Sequence, residues 1–175
     1  MTQPCIASRQ NPLCKLVRSL HTPKGRNQHR LFLAEGRNAV EAAIATGWPL
    51  RKLLCAEDEV LSWAAKSGTS EVQAIAPAIL EYLSDAQTST EVLALCEFPA
   101  SCNELQFENL WMVLDGVSDP GNVGTLIRAA DAAGAGGVLL TSSSADAFSP
   151  KAVRKCGQHI SFAASWTKRL FAARG

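Results

Sequence analysis

Residues 114–134 read LDGVSDPGNVGTLIRAADAAG and indicate a strand, a turn and a helix in immediate succession. The apolar run Trp111–Leu114 predicts a buried strand, and Val123–Ala133 has the apolar spacing of a helix. Between them lies a turn rich in Gly, Asp, Pro and Asn. Gly137–Leu140 predicts the next strand, which completes a βαβ unit with parallel strands and a right-handed crossover. The fold class predicted for the chain is therefore α/β.

The turn at the start of this predicted helix is the best candidate for a ligand site. Open α/β sheets bind ligands at the carboxyl ends of their strands, and helix N-termini there present free N–H groups to anions. Gly121 and Gly124 would let a backbone approach a ligand closely, because neither carries a Cβ. Two side chains stand out, Asn122 and Arg128. From the residues alone, Arg128 is read equally well as a surface arginine paired with Asp131, and Asn122 as a cap or turn residue.

Before residue 100, short strands alternate with short helices. Strands are predicted at Leu31–Leu33, Leu53–Cys55, Val72–Ala76 and Val92–Cys96, and helices at Leu13–Leu20, Asn38–Ala45, Glu59–Lys66 and Pro77–Leu83. This alternation predicts a small α/β domain over residues 26–98. Residues 1–25, with their basic side chains and their Pro and Gly residues, predict an N-terminal arm. Residues 99–107 predict a linker to the second part of the chain.

The charge of the chain is strongly segregated. Residues 1–37 carry seven Lys and Arg residues against one acid, residues 38–146 carry four against fifteen, and residues 147–175 carry six against none. Basic ends around an acidic middle fit either binding of a polyanion at two patches or simple solvation of basic tails. Both interpretations stay open from charge alone.

Composition favours a cytoplasmic globular protein. Hydrophobic residues make up 47% of the chain and charged residues 19%, which is too apolar for wholesale disorder. The sequence has no apolar run of the length that crosses a bilayer, and its N-terminus lacks the hydrophobic segment of a secretory signal. The six cysteines form no C-x-x-C pair, so we expect reduced thiols, several of them buried, and no metal site.

Three segments resemble the SpoU/TrmH family of RNA 2'-O-ribose methyltransferases, of the SPOUT superfamily. Residues 119–134 are similar to the family's first signature motif, and SPKAVR at 149–154 resembles the start of its second. LFLAEGRNAV at 31–40 resembles the opening of its N-terminal substrate-recognition domain. The resemblance implies a small α/β substrate-binding domain, followed from residue 108 to 154 by the start of a parallel-sheet methyltransferase domain of the trefoil-knot type. It also implies methyl transfer from S-adenosylmethionine to a ribose 2'-hydroxyl in tRNA or rRNA, normally by a homodimer.

The resemblance also assigns roles to residues. Arg128 corresponds to the family's catalytic arginine and Asn122 to its companion. Because arginine keeps its proton well past pH 12, we expect Arg128 to stabilise developing negative charge, with base catalysis left open. RNA phosphates would be held by the basic residues near the N-terminus, namely Lys24, Arg26, His29, Arg30 and Arg37. The sequence assigns no residues to the methyl donor.

After Arg154 the sequence departs from the family pattern. The family continues with a motif similar to Ala-Ser-Ala-Gly-x-Ile-Phe-x-Leu-Pro, whereas residues 155–166 read KCGQHISFAASW. Codons permitted for these residues, read one nucleotide later, encode SAGSIFRLPHL. We therefore expect residues 155–175 to be an out-of-frame tail.

The third family motif, which folds the knot around the donor, is also absent from this sequence. On this hypothesis the truncated chain would be catalytically incompetent and would have no measurable affinity for S-adenosylmethionine. We expect low local stability from about Ser142 onward, because the sheet would lack its remaining strands and leave an open edge. Two alternatives remain from the residues, a non-catalytic RNA-binding fragment and a non-functional product of a damaged gene.

Overall fold

The first unit of the molecule is a four-stranded sheet with helices on both faces. The computed structural model describes residues 4–68, 71–85, 90–98 and 110–157, and the backbone of 168–170. The strands of this unit are β1 (Leu31–Glu35), β2 (Leu50–Cys55), β3 (Val72–Ala74) and β4 (Val92–Glu97). Its helices are α1 (Pro12–Ser19), α2 (Pro23–His29), α3 (Arg37–Ala45), α4 (Val60–Ser67, after a 3-10 turn at Glu57–Glu59) and α5 (Pro77–Leu83). Every strand and helix predicted before residue 100 is confirmed, with small changes at the ends.

The strand order is β1-β4-β2-β3, with β4 antiparallel to both of its neighbours and β2 parallel to β3. Alternating side chains of β1 enter two separate cores. Phe32 and Ala34 pack with Trp63 on the face covered by α3 and α4. Leu31 and Leu33 join the core on the opposite face, under α1 and α5. Burial on both faces explains why these strands are almost wholly apolar.

The stretch predicted as a basic arm belongs to this unit. Helix α1 buries Cys14, Val17 and Leu20 in the core beneath the sheet. Pro12 and Pro23 occupy the first position of α1 and α2, where a missing N–H costs no hydrogen bond. These prolines therefore start helices instead of breaking them, and the prediction of an arm over residues 1–25 differs from the structure for this reason.

The second unit is a parallel three-stranded sheet in the order β5-β6-β7. Its elements are β5 (Trp111–Leu114), α6 (Pro120–Ala132), β6 (Gly137–Thr141), α7 (Pro150–Cys156) and β7 (Lys168–Leu170). The predicted βαβ unit is confirmed, since β5 and β6 are parallel neighbours joined through α6. Its core contains Val123 and Ile127 of α6, packed with Leu114 and Leu140 of the strands.

Helix α7 lies between the two units. It packs against α6 and against β1, which is an edge strand of the first sheet. Val153 belongs to the core of the first unit and Cys156 to that of the second. Helix α7 therefore buries apolar side chains against both units, and the low local stability expected from about Ser142 onward stays a prediction.

The segment expected to be an out-of-frame tail lies mostly outside the described residues, as does the predicted linker at 99–107. Within it, Lys155 and Cys156 complete α7, and Lys168–Leu170 runs parallel to β6. Over the described ranges, no helix combines the length and apolar character needed to cross a membrane.

Candidate functional site

Helix α6 begins at a capped turn that follows the carboxyl end of β5. Asp119 is the N-cap, and one of its carboxylate oxygens accepts a hydrogen bond from the backbone N–H of Asn122 at 2.9 Å. Lys151 of α7 donates to the other oxygen at 2.6 Å. Lys151, and then the Asn122 N–H, lower the pKa of Asp119. The sequence analysis did not single out Asp119, although an acid followed by Pro is a recognisable helix start.

Asn122 is exposed in the first turn of α6 and takes part in the cap only through its backbone. Its side chain is therefore not the helix cap. Arg128 follows six residues later, which is about 240° of rotation around the helix axis. The two candidate catalytic side chains are both exposed and point in directions about 120° apart around α6.

Gly124 is required by helix packing rather than by a ligand. A Cβ at Gly124 would lie 2.3 Å from the carbonyl oxygen of Ala152 and 2.9 Å from the Cβ of Lys155, both in α7. A Cβ at Gly121 would meet mainly the mobile end of the Lys151 side chain and the Asp119 carboxylate. The expectation that these glycines admit a ligand is thus wrong for Gly124, whose space is filled by α7.

Arg128 is exposed and lines a cleft of about 520 Å³ at the boundary of the two units. The first unit contributes one wall through α3, with Asn38, Glu41, Ala42 and Ala45, and α7 contributes Cys156 and Gly157. Burial raises the pKa of the Cys156 thiol to about 12, with Asp131 adding to the rise and Arg128 opposing it. Cys156 is therefore a packed neutral thiol, and Arg128 is the cationic group of this cleft among its described lining residues.

The loops after β5 and β6 are tied together by hydroxyl groups. Ser144 Oγ donates to the carbonyl of Leu114 at 2.8 Å and accepts from the Val117 N–H at 3.1 Å. Thr141 Oγ1 accepts from the Gly116 N–H at 3.2 Å. These hydroxyls are used by the loops themselves. Among the described residues, these hydroxyls are therefore not free to hold a methyl donor.

The predicted phosphate-binding residues are not equally available. Lys24, His29 and Arg30 are exposed, and the Arg30 guanidinium lies 4.9 Å from the ring centre of Phe98. Arg37 is paired with Glu59 at 2.8 Å and with Glu91 at 3.0 Å. These acids and their hydrogen bonds raise the pKa of Arg37.

Arg26 must be removed from the predicted set. It is only 1% exposed and pairs with Asp146 at 2.7 Å. Sequence counting finds the charge of Arg26 but not the partner that neutralises it, because that partner lies in the other unit.

The two units correspond to two family models that match the chain in order. The MRM3-like substrate binding domain matches residues 11–94, and the SpoU rRNA Methylase family matches residues 109–169. Fold and matches together define a substrate-binding unit followed by a methylase unit. The chain belongs to the SpoU/TrmH family of rRNA methylases, which confirms the resemblance read from residues 119–134.

Several relatives have stated activities. The chain is 31% identical over 156 residues to the 23S rRNA (guanosine(2553)-2'-O)-methyltransferase RlmP of Bacillus subtilis, covering 89% of this chain and 62% of the relative. It is 34% identical over 131 residues to the 23S rRNA (uridine(2479)-2'-O)-methyltransferase of Streptomyces viridochromogenes, covering 70% and 46%. The AdoMet-bound rRNA methyltransferase of Sinorhizobium meliloti superposes with a TM-score of 0.78 at 31% identity, covering 95% of this chain and 64% of that structure. The chain thus spans less than two thirds of these relatives.

Proposed function

We propose that the protein transfers a methyl group from S-adenosylmethionine to a ribose 2'-hydroxyl of ribosomal RNA. The observation that carries this proposal is the position of Arg128. It belongs to the family's first motif and lines the cleft where the methylase unit meets α3 of the substrate-binding unit. If both units hold the RNA, the methyl group must be transferred in the cleft between them. Arg128 lies in that cleft, opposite a wall that the other unit contributes.

The substrate class follows from what the relatives share. One is named for a guanosine of 23S rRNA and another for a uridine, and both modify the ribose 2'-oxygen. The common group is therefore the sugar hydroxyl within RNA rather than a particular base. We assign the same group to this protein and expect the base to be selected by surfaces that differ between relatives.

The chemistry asked of Arg128 is charge stabilisation. A 2'-hydroxyl is a weak nucleophile until its proton leaves or its developing negative charge is stabilised. The donor supplies the methyl group when it is bound. Arg128 presents a cationic guanidinium with several N–H donors, so it stabilises negative charge on the ribose oxygen or on the adjoining phosphate. Since Asn122 lies on another side of α6, we propose that it contacts a different part of the RNA or a second protomer.

Two further features belong to the proposal. A homodimer is supported by β5, which is an edge strand of the described sheet and exposes Val113 beside the exposed Leu110. The place of action is the cytoplasm, where ribosomal RNA is available.

A methyl-transfer assay on the protein at its natural length tests the proposal. The protein is incubated with tritiated S-adenosylmethionine and unmodified 23S rRNA, and the RNA is then hydrolysed with alkali. Methylation of a 2'-oxygen removes the hydroxyl that alkali needs, so the label should remain in an alkali-resistant dinucleotide. Label in mononucleotides would mean base methylation and would contradict the proposal. Binding of RNA without any transfer would favour the alternative of a non-catalytic RNA-binding protein.

A further inference from the structure

Two ion pairs of opposite polarity cross the boundary between the units. Arg26 of the first unit donates to Asp146 of the second, from Nη2 at 2.7 Å and from Nε at 3.2 Å. Arg154 of the second unit donates to Glu35 of the first at 2.7 Å. We call these four residues the clamp. Each unit thus supplies one basic and one acidic residue, so both pairs can form at once in only one relative orientation of the two units.

The first-unit members of the clamp are fully enclosed. The Arg26 side chain is 2% exposed, and its third described hydrogen bond goes to the carbonyl of Leu20 at 2.8 Å. The Glu35 side chain is 0% exposed, and its Oε1 has no hydrogen-bond partner among the described residues. Burial raises the pKa of Glu35, and the charge of Arg154 opposes that rise. A buried ion pair of this kind contributes little net stability. If one partner is misplaced, the other charge is left buried and unpaired at a large cost in free energy, so the pairs favour one arrangement of the two units.

Apolar contacts between the two pairs hold the units together. Phe148 of the second unit lies against Phe32 and Phe98 of the first, with ring centres 5.1 Å and 4.7 Å away. Val153 of α7 enters the same core. These apolar contacts hold the units together. The Arg154–Glu35 pair joins α7 to β1, and the Arg26–Asp146 pair joins α2 to the loop before α7.

We infer that the four residues of the clamp are positioning residues: they fix where α3, one wall of the cleft, lies relative to Arg128. These residues are Arg26, Glu35, Asp146 and Arg154. The inference rests on the proposed function for its chemical meaning, but the geometry can be tested without it. Arg154 lies in the same short helix as Cys156, which lines the cleft, and Glu35 lies two residues before α3 begins. A shift at the Glu35–Arg154 pair therefore moves both walls of the cleft relative to each other.

The first test measures the distance between the units in the chain itself. Spin labels are carried by unnatural amino acids at Leu61 of α4 and Ala132 of α6, both exposed, since the chain already contains six cysteines. Pulsed electron paramagnetic resonance should give one narrow distance distribution for the unaltered chain. The double variant Asp146→Asn with Arg154→Met should give a clearly broader one. Lys52→Met is the matched control, because the Lys52–Glu71 pair at 2.8 Å lies within the first unit.

The distance measurement tests whether the clamp fixes the relative position of the two units. A broad distribution in the unaltered chain, or a narrow one in the double variant, would overturn the inference. Circular dichroism shows whether the double variant keeps its helices. If it does not fold, Arg154→Met alone serves, because the Arg154 side chain, at 32% exposed, is the most exposed member of the clamp.

The second test separates positioning from mere stability in the protein at its natural length. Arg154→Met should lower kcat for methyl transfer by about 10- to 100-fold, since misplacing reacting groups by about 1 Å costs on that order. KM for S-adenosylmethionine should stay unchanged, and Arg154→Lys should recover part of kcat. A variant that is less stable but has unaltered kcat would refute positioning. If the unaltered protein transfers no methyl group, the proposed function fails while the distance measurement still decides the clamp.

Discussion

At the scale of single residues, the two glycines of the first motif have different reasons to be glycine. Gly124 leaves room for the backbone of α7, whose Ala152 carbonyl would lie 2.3 Å from an added Cβ. Gly121 is limited only by the Asp119 carboxylate at 2.8 Å and by the Lys151 side chain at 3.0 Å. A side chain can turn away, whereas the carbonyl of a packed helix cannot move without the helix.

This difference predicts unequal effects of the same substitution at the two glycines. Gly124→Ala should lower the free energy of unfolding by about 1–3 kcal/mol, because overpacking forces α6 and α7 apart. Gly121→Ala is the matched control and should lie close to neutral, because alanine favours the helix by about 1 kcal/mol and offsets the small rearrangement of side chains. Urea unfolding of both variants measures the effects. Equal effects of the two substitutions would show that the α6–α7 contact does not require a glycine.

At the scale of elements, the start of α6 depends on the Asp119 cap. The pKa of Asp119 is lowered by Lys151 and by the Asn122 N–H, so its ionised form is stabilised by folding. That contribution is fully present above the unfolded pKa of about 3.9, and it is lost as the pH falls through the lower folded value. Asp119→Asn keeps a capping oxygen but removes the charge.

The charge of Asp119 therefore has a defined signature in the pH dependence of stability. The unaltered chain should be more stable than Asp119→Asn at pH 7, and the difference should shrink as the pH falls below the unfolded pKa and vanish once the folded carboxyl group is protonated. Urea midpoints of the two proteins at a series of pH values measure it, with Asp115→Asn as control for a nearby exposed acid. A difference that persists undiminished at low pH would mean that the carboxylate charge has no part in holding this turn.

The local sequence pattern predicted most of the helices and strands, but it did not predict how they pack against one another. The periodicity of Pro77–Leu83 and Trp111–Leu114 gave their bounds without error, because both are set by short-range signals. Helix α7 was not predicted, although Ser149 and Pro150 form a recognisable helix start. The antiparallel position of β4 between β1 and β2 depends on contacts between distant residues, which periodicity does not report.

The same limit applies to the site. Arg128 could be singled out because its motif is continuous in sequence. The other wall of its cleft comes from α3, ninety residues before it, and only the fold shows that Asn38 and Glu41 face it. Arg26 was misassigned for a related reason, since its partner Asp146 is 120 residues away.

At the scale of the whole molecule, the segregated charge of the sequence is partly neutralised by folding. Arg18 pairs with Asp85, Arg26 with Asp146, and Arg37 with Glu59 and Glu91. Lys24 and Arg30 remain exposed near the boundary of the units, where α2 leads into β1. Only such exposed charges can release counterions from RNA.

RNA binding should therefore depend on Lys24 and Arg30 but not on Arg26 as a phosphate contact. Replacing both Lys24 and Arg30 by Ala should reduce the slope of log affinity against log salt by roughly 1.4–1.8, for two lost phosphate contacts. Fluorescence anisotropy with a labelled rRNA fragment measures the slope. Lys15→Ala with Arg51→Ala is the matched control, since both side chains are exposed and lie on α1 and β2. Equal slopes for the two double variants would place the RNA elsewhere.

The central claim is that Arg128 stabilises the charge that develops during methyl transfer at the boundary of the two units. The most direct measurement is kcat for ribose methylation of rRNA by Arg128→Ala in the protein at its natural length, beside Arg51→Ala, an exposed arginine of β2. Loss of one such stabilising group costs about 10²- to 10³-fold in kcat, and we expect a decrease of that size for Arg128→Ala. Arg51→Ala should leave kcat unchanged. An Arg128→Ala protein that methylates rRNA within about twofold of the unaltered rate, far short of that loss, would contradict the claim.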